Sequence, residues 1–314
     1  MSEQLELITI GRVGVDLYPE QIGVPLAQVR TFAKSLGGSP TNVAVAAARL
    51  GHRTAVITKV GDDGFGLYVR EALAGFGVDT RFVGTDPTLR TPIVFTELYP
   101  PDRFPLLFYR EPKAPDLNIT TDELDLDAIA RVPILWTTGM ALSDEPSRSA
   151  TLAALAAARG RTIHDLDHRH HAWKDPGDSR PAAEQALRHA RVVVGNLEEV
   201  EMATGSRDPD VAAERLLEMG PELAIVKRGP GGTLARSKIE RVEVPAVEIE
   251  VVNGLGAGDA FGGALVHGLL LGWDLTRTLA FANAAGAIVA SRLACADAMP
   301  TEHEVESLLR GVHV

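Results

Sequence analysis

Strand-like apolar runs alternate with alanine-rich, helix-length segments through most of this 314-residue chain, and that alternation constrains the fold more than any other feature. Thr41–Leu50 (TNVAVAAARL) reads as a helix of small residues that stops at Gly51, and a strand follows at Thr54–Val60. Helices are expected near Phe65–Gly75, at Pro146–Arg159 and at Pro181–Ala190, with strands at Thr162–Leu166, Val192–Gly195 and Leu223–Lys227. A β-rich run from Leu5 to Val15 ends in Asp16 and precedes the turn Gly37-Gly38-Ser39-Pro40-Thr41-Asn42. Strands separated by helices of about 10–15 residues build parallel βαβ units with helices on both faces. The expected fold class is therefore α/β: one doubly wound, mostly parallel sheet sandwiched by helices.

Two regions break the alternation. Gln21–Lys34 is irregular, and within Pro92–Arg110 the stretches TPIVFTELYP and FPLLFYRE alternate like hairpin strands around Pro100-Pro101-Asp102. Both belong in a small separate β-sheet. The 45% hydrophobic and 23% charged composition supports a large core and no disordered class. A net charge of −11 speaks against nucleic acid or an anionic membrane as partner, since either needs a basic field. One cysteine, Cys295, excludes an intrachain disulfide. With no signal-like N-terminus and no apolar stretch of membrane length, the expected address is the cytoplasm.

The chemistry concentrates in Val251–Gly263, where Asn253-Gly254-Leu255-Gly256-Ala257-Gly258-Asp259 runs into the helical pattern ALVHGLLLG. Glycines just before a helix let backbone N–H groups converge on an anion, and the helix terminus adds partial positive charge. An Asp in that first turn can accept a proton from an attacking hydroxyl while the N–H groups hold a transferring phosphoryl group. A helix-capping Asp would explain an isolated GAGD equally well. The glycine spacing is not G-x-G-x-x-G, and Gly-Lys never occurs, so dinucleotide and Walker A readings fail.

Four short pieces in fixed order carry a resemblance: Gly37-Gly38 with Asn42, Asn196 with Glu199 (GNLEE), Lys227-Arg228-Gly229 to Gly232, and Gly256-Ala257-Gly258-Asp259. Together they resemble the ribokinase (PfkB) family of carbohydrate kinases over nearly the whole chain. GRVGVDLYP, FAKSLGGSPTNVAVAAARLG, LFYRE, DLDHR with Trp173, and Cys295–Pro300 (CADAMP) are similar to the 5-dehydro-2-deoxygluconokinase branch of that family. The resemblance implies a single ribokinase-like catalytic domain over residues 1–314, with β-lid segments at about 16–34 and 90–112 that could also pair two copies as a homodimer. It implies ATP and Mg²⁺ as cofactors. The acceptor it implies is a keto-deoxy sugar acid of myo-inositol catabolism, phosphorylated on its terminal (C6) hydroxyl. By the same resemblance Asp259 is the base, and Gly256, Ala257 and Gly258 form the anion hole. Asp16, Gly37, Gly38 and Asn42 bind substrate hydroxyls, while Asn196 and Glu199 lie near the phosphates and their Mg²⁺, with Glu199 as metal ligand. Lys227, Gly229 and Gly232 form the nucleotide turn, and Asn283 lies beside the adenine. Asn253 stands where ribokinases carry Asp at a position linked to monovalent cations, so potassium dependence stays open.

His164–His171 (HDLDHRHH) crowds four histidines and two carboxylates together. If the preceding strand continued, Asp165, Asp167 and Arg169 would share one face, and His164, His168 and His170 the other, as a possible metal site. The favoured reading is different: Arg169, beside Asp167, grips the substrate carboxylate in bidentate fashion, with Arg110 as a second candidate. A 2-keto-3-deoxygluconate kinase, a neutral-sugar (ribose or fructose) kinase and a non-catalytic sugar or nucleotide sensor on the same fold are the alternatives.

Overall fold

The structure, a computed structural model, describes residues 4–311. Its first part runs β1 (Leu7–Ile10), β2 (Gly14–Pro19), β3 (Phe32–Gly37), α1 (Ser39–Arg49), β4 (Thr54–Gly61) and α2 (Gly64–Gly75). Four strands follow, β5 (Val78–Asp79), β6 (Val83–Asp86), β7 (Ile93–Thr96) and β8 (Leu106–Tyr109), and then α3 (Leu126–Arg131) and β9 (Ile134–Thr138). The alternating middle is α4 (Ser147–Ala157), β10 (Arg161–Asp165), α5 (Ser179–Leu187), β11 (Val192–Asn196), α6 (Leu197–Thr204), α7 (Pro209–Glu218) and β12 (Leu223–Lys227). The chain closes with β13 (Thr233–Ser237), β14 (Arg241–Val244), α8 (Ala257–Leu270), α9 (Leu275–Ala290) and α10 (Glu302–Leu309).

Ten strands form the main sheet in the order β14-β13-β12-β11-β10-β9-β1-β4-β5, with β6 also on β4. All neighbours are parallel except β12–β13 and β13–β14. Strands β1, β4, β9, β10, β11 and most of β12 are buried, as expected of parallel strands with helices on both faces. One face packs against α1, α8 and α9 through Val43, Ala46, Phe261, Leu265 and Phe281 around Trp136. The other is covered by α3 to α7 through residues such as Ile129, Ala154, Ala186, Val200 and Ala212.

Two expectations need correction. The Leu5–Val15 run is not one strand: β1 and β2 lie in different sheets. Gly11, at φ +141°, allows a break that the continuing apolar pattern hides, and the Val13 N–H leaves the ladder to donate to Asp116 Oδ2 at 3.0 Å. The strand drawn to Leu166 stops at Asp165, and Asp167 takes a positive φ of 27°. Period-two alternation therefore does not extend to His168 and His170.

β2, β3, β7 and β8 form a second, four-stranded sheet in the order β3-β2-β7-β8, the small sheet expected from the two irregular regions. Its β7–β8 pair is antiparallel.

Helices α1 and α8 cross closely because α8 presents glycines there. A Cβ on Gly262 would stand 2.8 Å from the Trp136 ring, and one on Gly263 only 2.3 Å from Ala46 Cβ. Gly263→Ala should therefore overpack the crossing and cost about 1–3 kcal/mol, read as a lower denaturation midpoint at unchanged m-value; unchanged stability would contradict this packing.

Candidate active site

The parallel strands all end on one edge of the main sheet, and chain order reverses at β1, with β4 on one side and β9 on the other. Such a switch point opens a crevice beyond the strands' C-terminal ends. A cavity of about 250 Å³ lies there. The ends of β10, β11 and β12 supply Asp165, Asn196 and Lys227, and Arg12 follows β1. The small sheet contributes Asp16, Phe108 and Arg110 to the wall.

Helices α1 and α8 both aim their N-termini at this cavity. Gly256 caps α8 in the left-handed region (φ 82°), and no side chain caps that terminus. A Cβ at Gly256 would lie 2.6 Å from Cys295 Sγ, and one at Gly38 (φ 104°) 2.4 Å from the Arg12 carbonyl oxygen. Asp259, in the first turn of α8, accepts a hydrogen bond from Asn42 Nδ2 at 2.8 Å. Burial raises the Asp259 carboxyl above its ordinary range, against the opposing pull of Asn42. A base of raised proton affinity is better matched to abstraction near neutral pH.

Four cations and five carboxylates line the cavity: Arg12, Arg110, Arg169 and Lys227 with Asp16, Asp165, Asp167, Glu199 and Asp259. Arg12 holds Asp167 through a fork, Nη2 to Oδ1 at 3.0 Å and Nε to Oδ2 at 3.2 Å. Burial would push the Asp167 carboxyl up, yet Arg12 and Arg169 hold it low. Arg169 Nη2 stands 3.2 Å from Asp167 and its Nη1 3.7 Å from Glu199. Arg110 pairs with Asp116 at 2.5 Å. Lys227 Nζ lies 3.6 Å from Asp165. Asp16, half-buried against Gly37, is pushed up to about 6 by desolvation; a Cβ on Gly37 would meet its carboxylate at 2.2 Å.

Asn196 caps α6, its Oδ1 accepting from the N–H groups of Glu198 and Glu199, while Glu199 Oε2 accepts the Asn196 N–H at 2.8 Å. The capping explanation thus holds for this pair, and both also face the cavity. Burial pushes Glu199 up to about 7, with Lys227 opposing.

Of the residues singled out in the sequence, the cavity wall gathers Asp16, Gly38, Asn42, Arg110, Asp167, Arg169, Asn196, Glu199, Lys227, Gly256, Gly258 and Asp259. Gly37, Ala257, Gly229, Gly232 and Asn283 stand outside it. Gly229 (φ 58°) and Gly232 (φ 77°) shape the β12–β13 turn. Asn283 accepts from Thr233 Oγ1 at 2.7 Å and donates to the Pro245 carbonyl at 2.9 Å. The three-histidine face does not assemble. His164 Nδ1 contacts Thr137 Oγ1 inside the sheet, whereas His168 and His170 contact each other at 3.1 Å. Among the described residues no group of three or more His, Cys, Asp or Glu is placed to hold a metal ion. Asp165, Asp167 and Arg169 do meet in the cavity. Sequence reasoning missed Arg12, whose one signal was a lone arginine between two glycines at the end of the first strand.

The pattern of the pfkB family carbohydrate kinases matches residues 4–302. The chain belongs to that family. It is 31% identical to a 5-dehydro-2-deoxygluconokinase of Shouchella clausii over 100% of this chain and 98% of that one. It is 36% identical to another of Photobacterium profundum, over 95% and 92%. A putative Ribokinase II from E. coli, solved in complex with ATP and Mg²⁺, superposes with a TM-score of 0.89 at 26% identity, covering 98% of this chain and 99% of that one. Fructokinase from Vibrio cholerae, bound to fructose, ADP and calcium, superposes at 0.86 and 27% identity over 97% and 99%. This pfkB kinase is an ATP-dependent carbohydrate kinase on the ribokinase-like fold.

Arg12→Met should leave the Asp167 charge buried without its fork and cost about 3 kcal/mol, the lower end for breaking a buried pair because Arg169 still pairs with Asp167. Asp167 is depressed, so the pair's stabilisation is complete above the ordinary carboxylate range and is lost as pH falls through the folded-state value. Urea denaturation of both proteins at neutral and acidic pH checks this: the gap must narrow on acidification.

Proposed function

We propose that this kinase phosphorylates the terminal (C6) hydroxyl of 5-dehydro-2-deoxy-D-gluconate, the substrate that its relatives' names give. The observation that carries the reading is the half-buried Asp259 at an uncapped helix terminus, with arginines gathered in the same cavity. The acceptor hydroxyl sits between Asp259 and the γ-phosphate. Asp259 takes its proton, the new O–P bond forms in line, and the bond to the bridging oxygen breaks to leave ADP. N–H groups of Gly256, Ala257 and Gly258 receive the transferring charge. Asp16, Gly38 and Asn42 orient the sugar hydroxyls, and Gly37 leaves room for the Asp16 carboxylate. Arg169 and Arg110 hold the acid's carboxylate, with Asp167 keeping Arg169 in place.

On the nucleotide side, Asn196 and Lys227 approach the phosphates, Gly229 and Gly232 shape the turn beneath the nucleotide, and Asn283 braces that wall. Glu199 fits a hard divalent cation: its carboxylate is buried, and its nearest cation, Arg169, stands 3.7 Å away. Glu199 would help hold Mg²⁺ there, and the ion would supply charge neutralisation for the phosphates. Asn253 donates to the Leu293 carbonyl at 2.6 Å and accepts from the Leu255 N–H. That bracing role supports a catalytic turn held without a monovalent cation.

The whole chain, 1–314, acts as one catalytic domain. Segments 16–34 and 90–112 are its lid, which excludes water during transfer. Exposed Leu106, Leu107 and Tyr109 on β8 form the surface on which two copies would pair. No helix among the described residues is long and apolar enough to cross a membrane, in keeping with a cytoplasmic address.

Coupled ADP release with Mg-ATP against 5-dehydro-2-deoxygluconate, 2-keto-3-deoxygluconate, ribose and fructose tests the substrate; preference for a neutral sugar overturns it, and no turnover with any restores the sensor reading. Asp259→Asn should lower kcat by about 10²–10⁴-fold with KM little changed. In the native enzyme the acid limb of the rate should fall above the ordinary carboxylate range, because protonation of the raised Asp259 removes the base. Near-normal turnover of that variant would sink the mechanism. Arg169→Gln should cost roughly 10–100-fold in kcat/KM on the acid and leave neutral sugars unaffected; equal losses would refute carboxylate recognition.

A further inference from the structure

The 295–297 loop joins three parts of the cavity that the mechanism treats separately. Tyr18, on β2 and fully buried, places its hydroxyl 3.3 Å from Asp16 Oδ2 and 2.8 Å from Cys295 Sγ. Cys295 lies directly on the catalytic turn, since its Sγ occupies the space that a Cβ on Gly256 would need. Two residues further, Asp297 Oδ2 accepts from Ser35 Oγ on β3 at 2.5 Å. One loop therefore ties two strands of the small sheet to the helix terminus that carries Asp259.

We propose that Tyr18 is a positioning residue for the acceptor half of the site. Its hydroxyl fixes the Asp16 carboxylate that receives the sugar hydroxyls and, through Cys295, sets β2 against Gly256. The bland account, a tyrosine filling core space, requires only the ring. A hydroxyl placed between a cavity carboxylate and a thiol that touches the anion hole goes beyond that requirement.

Asp16 is the group through which the tyrosine acts. The charged and titratable groups that face it are Arg12, Asp259, Tyr18 and Cys295, with Tyr68 of α2 also within reach of its charge. Arg12 and the Tyr18 hydroxyl favour the ionised carboxylate; burial and Asp259 oppose it. Losing the hydroxyl leaves Asp16 more readily protonated and free to turn. Asp16 would then accept poorly from a sugar hydroxyl.

The inference rests on the proposed kinase reading, so wild-type turnover of the sugar-acid panel is measured first, and its absence is a failure of that reading alone. With turnover in hand, Tyr18→Phe keeps the ring and its packing. Expected are an acceptor KM raised about tenfold, a KM for ATP within twofold of wild type, and an acid limb of acceptor kcat/KM displaced to higher pH. Cys295→Ala should shift the acceptor KM in the direction of Tyr18→Phe, and Cys295→Ser, which returns a hydrogen-bonding group beside the tyrosine, should shift it less. A Tyr18→Phe enzyme with unchanged acceptor KM and pH profile, or one in which both substrates' KM values rise alike, overturns the proposal. If Tyr18→Phe is unstable, the contrast between the two Cys295 variants decides it, and equal behaviour of the pair counts against the role.

Discussion

The crossing of α1 and α8 is the contact on which the rest of the site depends. Gly262 and Gly263 let the two helices approach until Ala46 and Trp136 fill the spaces where side chains would stand. Their N-terminal turns then open side by side on the sheet's C-terminal edge. Only at that separation does Asn42 reach Asp259. The helix dipoles add in the same small volume, so the proposed anion site and the proposed base beside it come from one packing decision made in the core.

Around that pair the cavity carries more charge than burial alone would tolerate. Forked and shared ion pairs make it tenable: Arg12 on Asp167, Arg169 between Asp167 and Glu199, Lys227 near Asp165. The balance is uneven. Asp167 is held low by two guanidinium groups, whereas Asp16, Glu199 and Asp259 are left raised by desolvation. Asp165 is raised by burial as well, with Lys227 opposing, and carboxylates raised in a cleft are the candidates for chemistry.

Much of this was legible in the sequence because periodicity and glycine placement report directly on backbone requirements. The alternation of strands and helices gave the sheet, and GAGD gave the helix terminus. What escaped had a different physical character. The break between β1 and β2 was hidden because the apolar pattern runs on through Val13 and Val15 while the chain changes sheets at Gly11. Arg12 escaped because a single arginine has no period, and its value comes from Asp167, a residue distant in sequence. The histidine face failed because strand geometry was carried beyond Asp165 into a segment with left-handed backbone at Asp167. GNLEE was ambiguous for a sound reason: Asn196 and Glu199 cap a helix and face the cavity at once.

The small sheet is not hung from the molecule by a flexible tether. β2 begins four residues after β1 ends, and β3 runs directly into the Gly38 cap of α1, so both junctions are made of cavity residues. Asp16 travels with β2, and Gly37 ends β3 against it. On the proposed reading, a displacement of this sheet would dismantle the acceptor pocket itself and do more than uncover it. Nucleotide bound beside a displaced sheet would meet no oriented acceptor groups, and a water molecule there would be held no better than in bulk. Under that reading, thrift with ATP would be a by-product of connectivity.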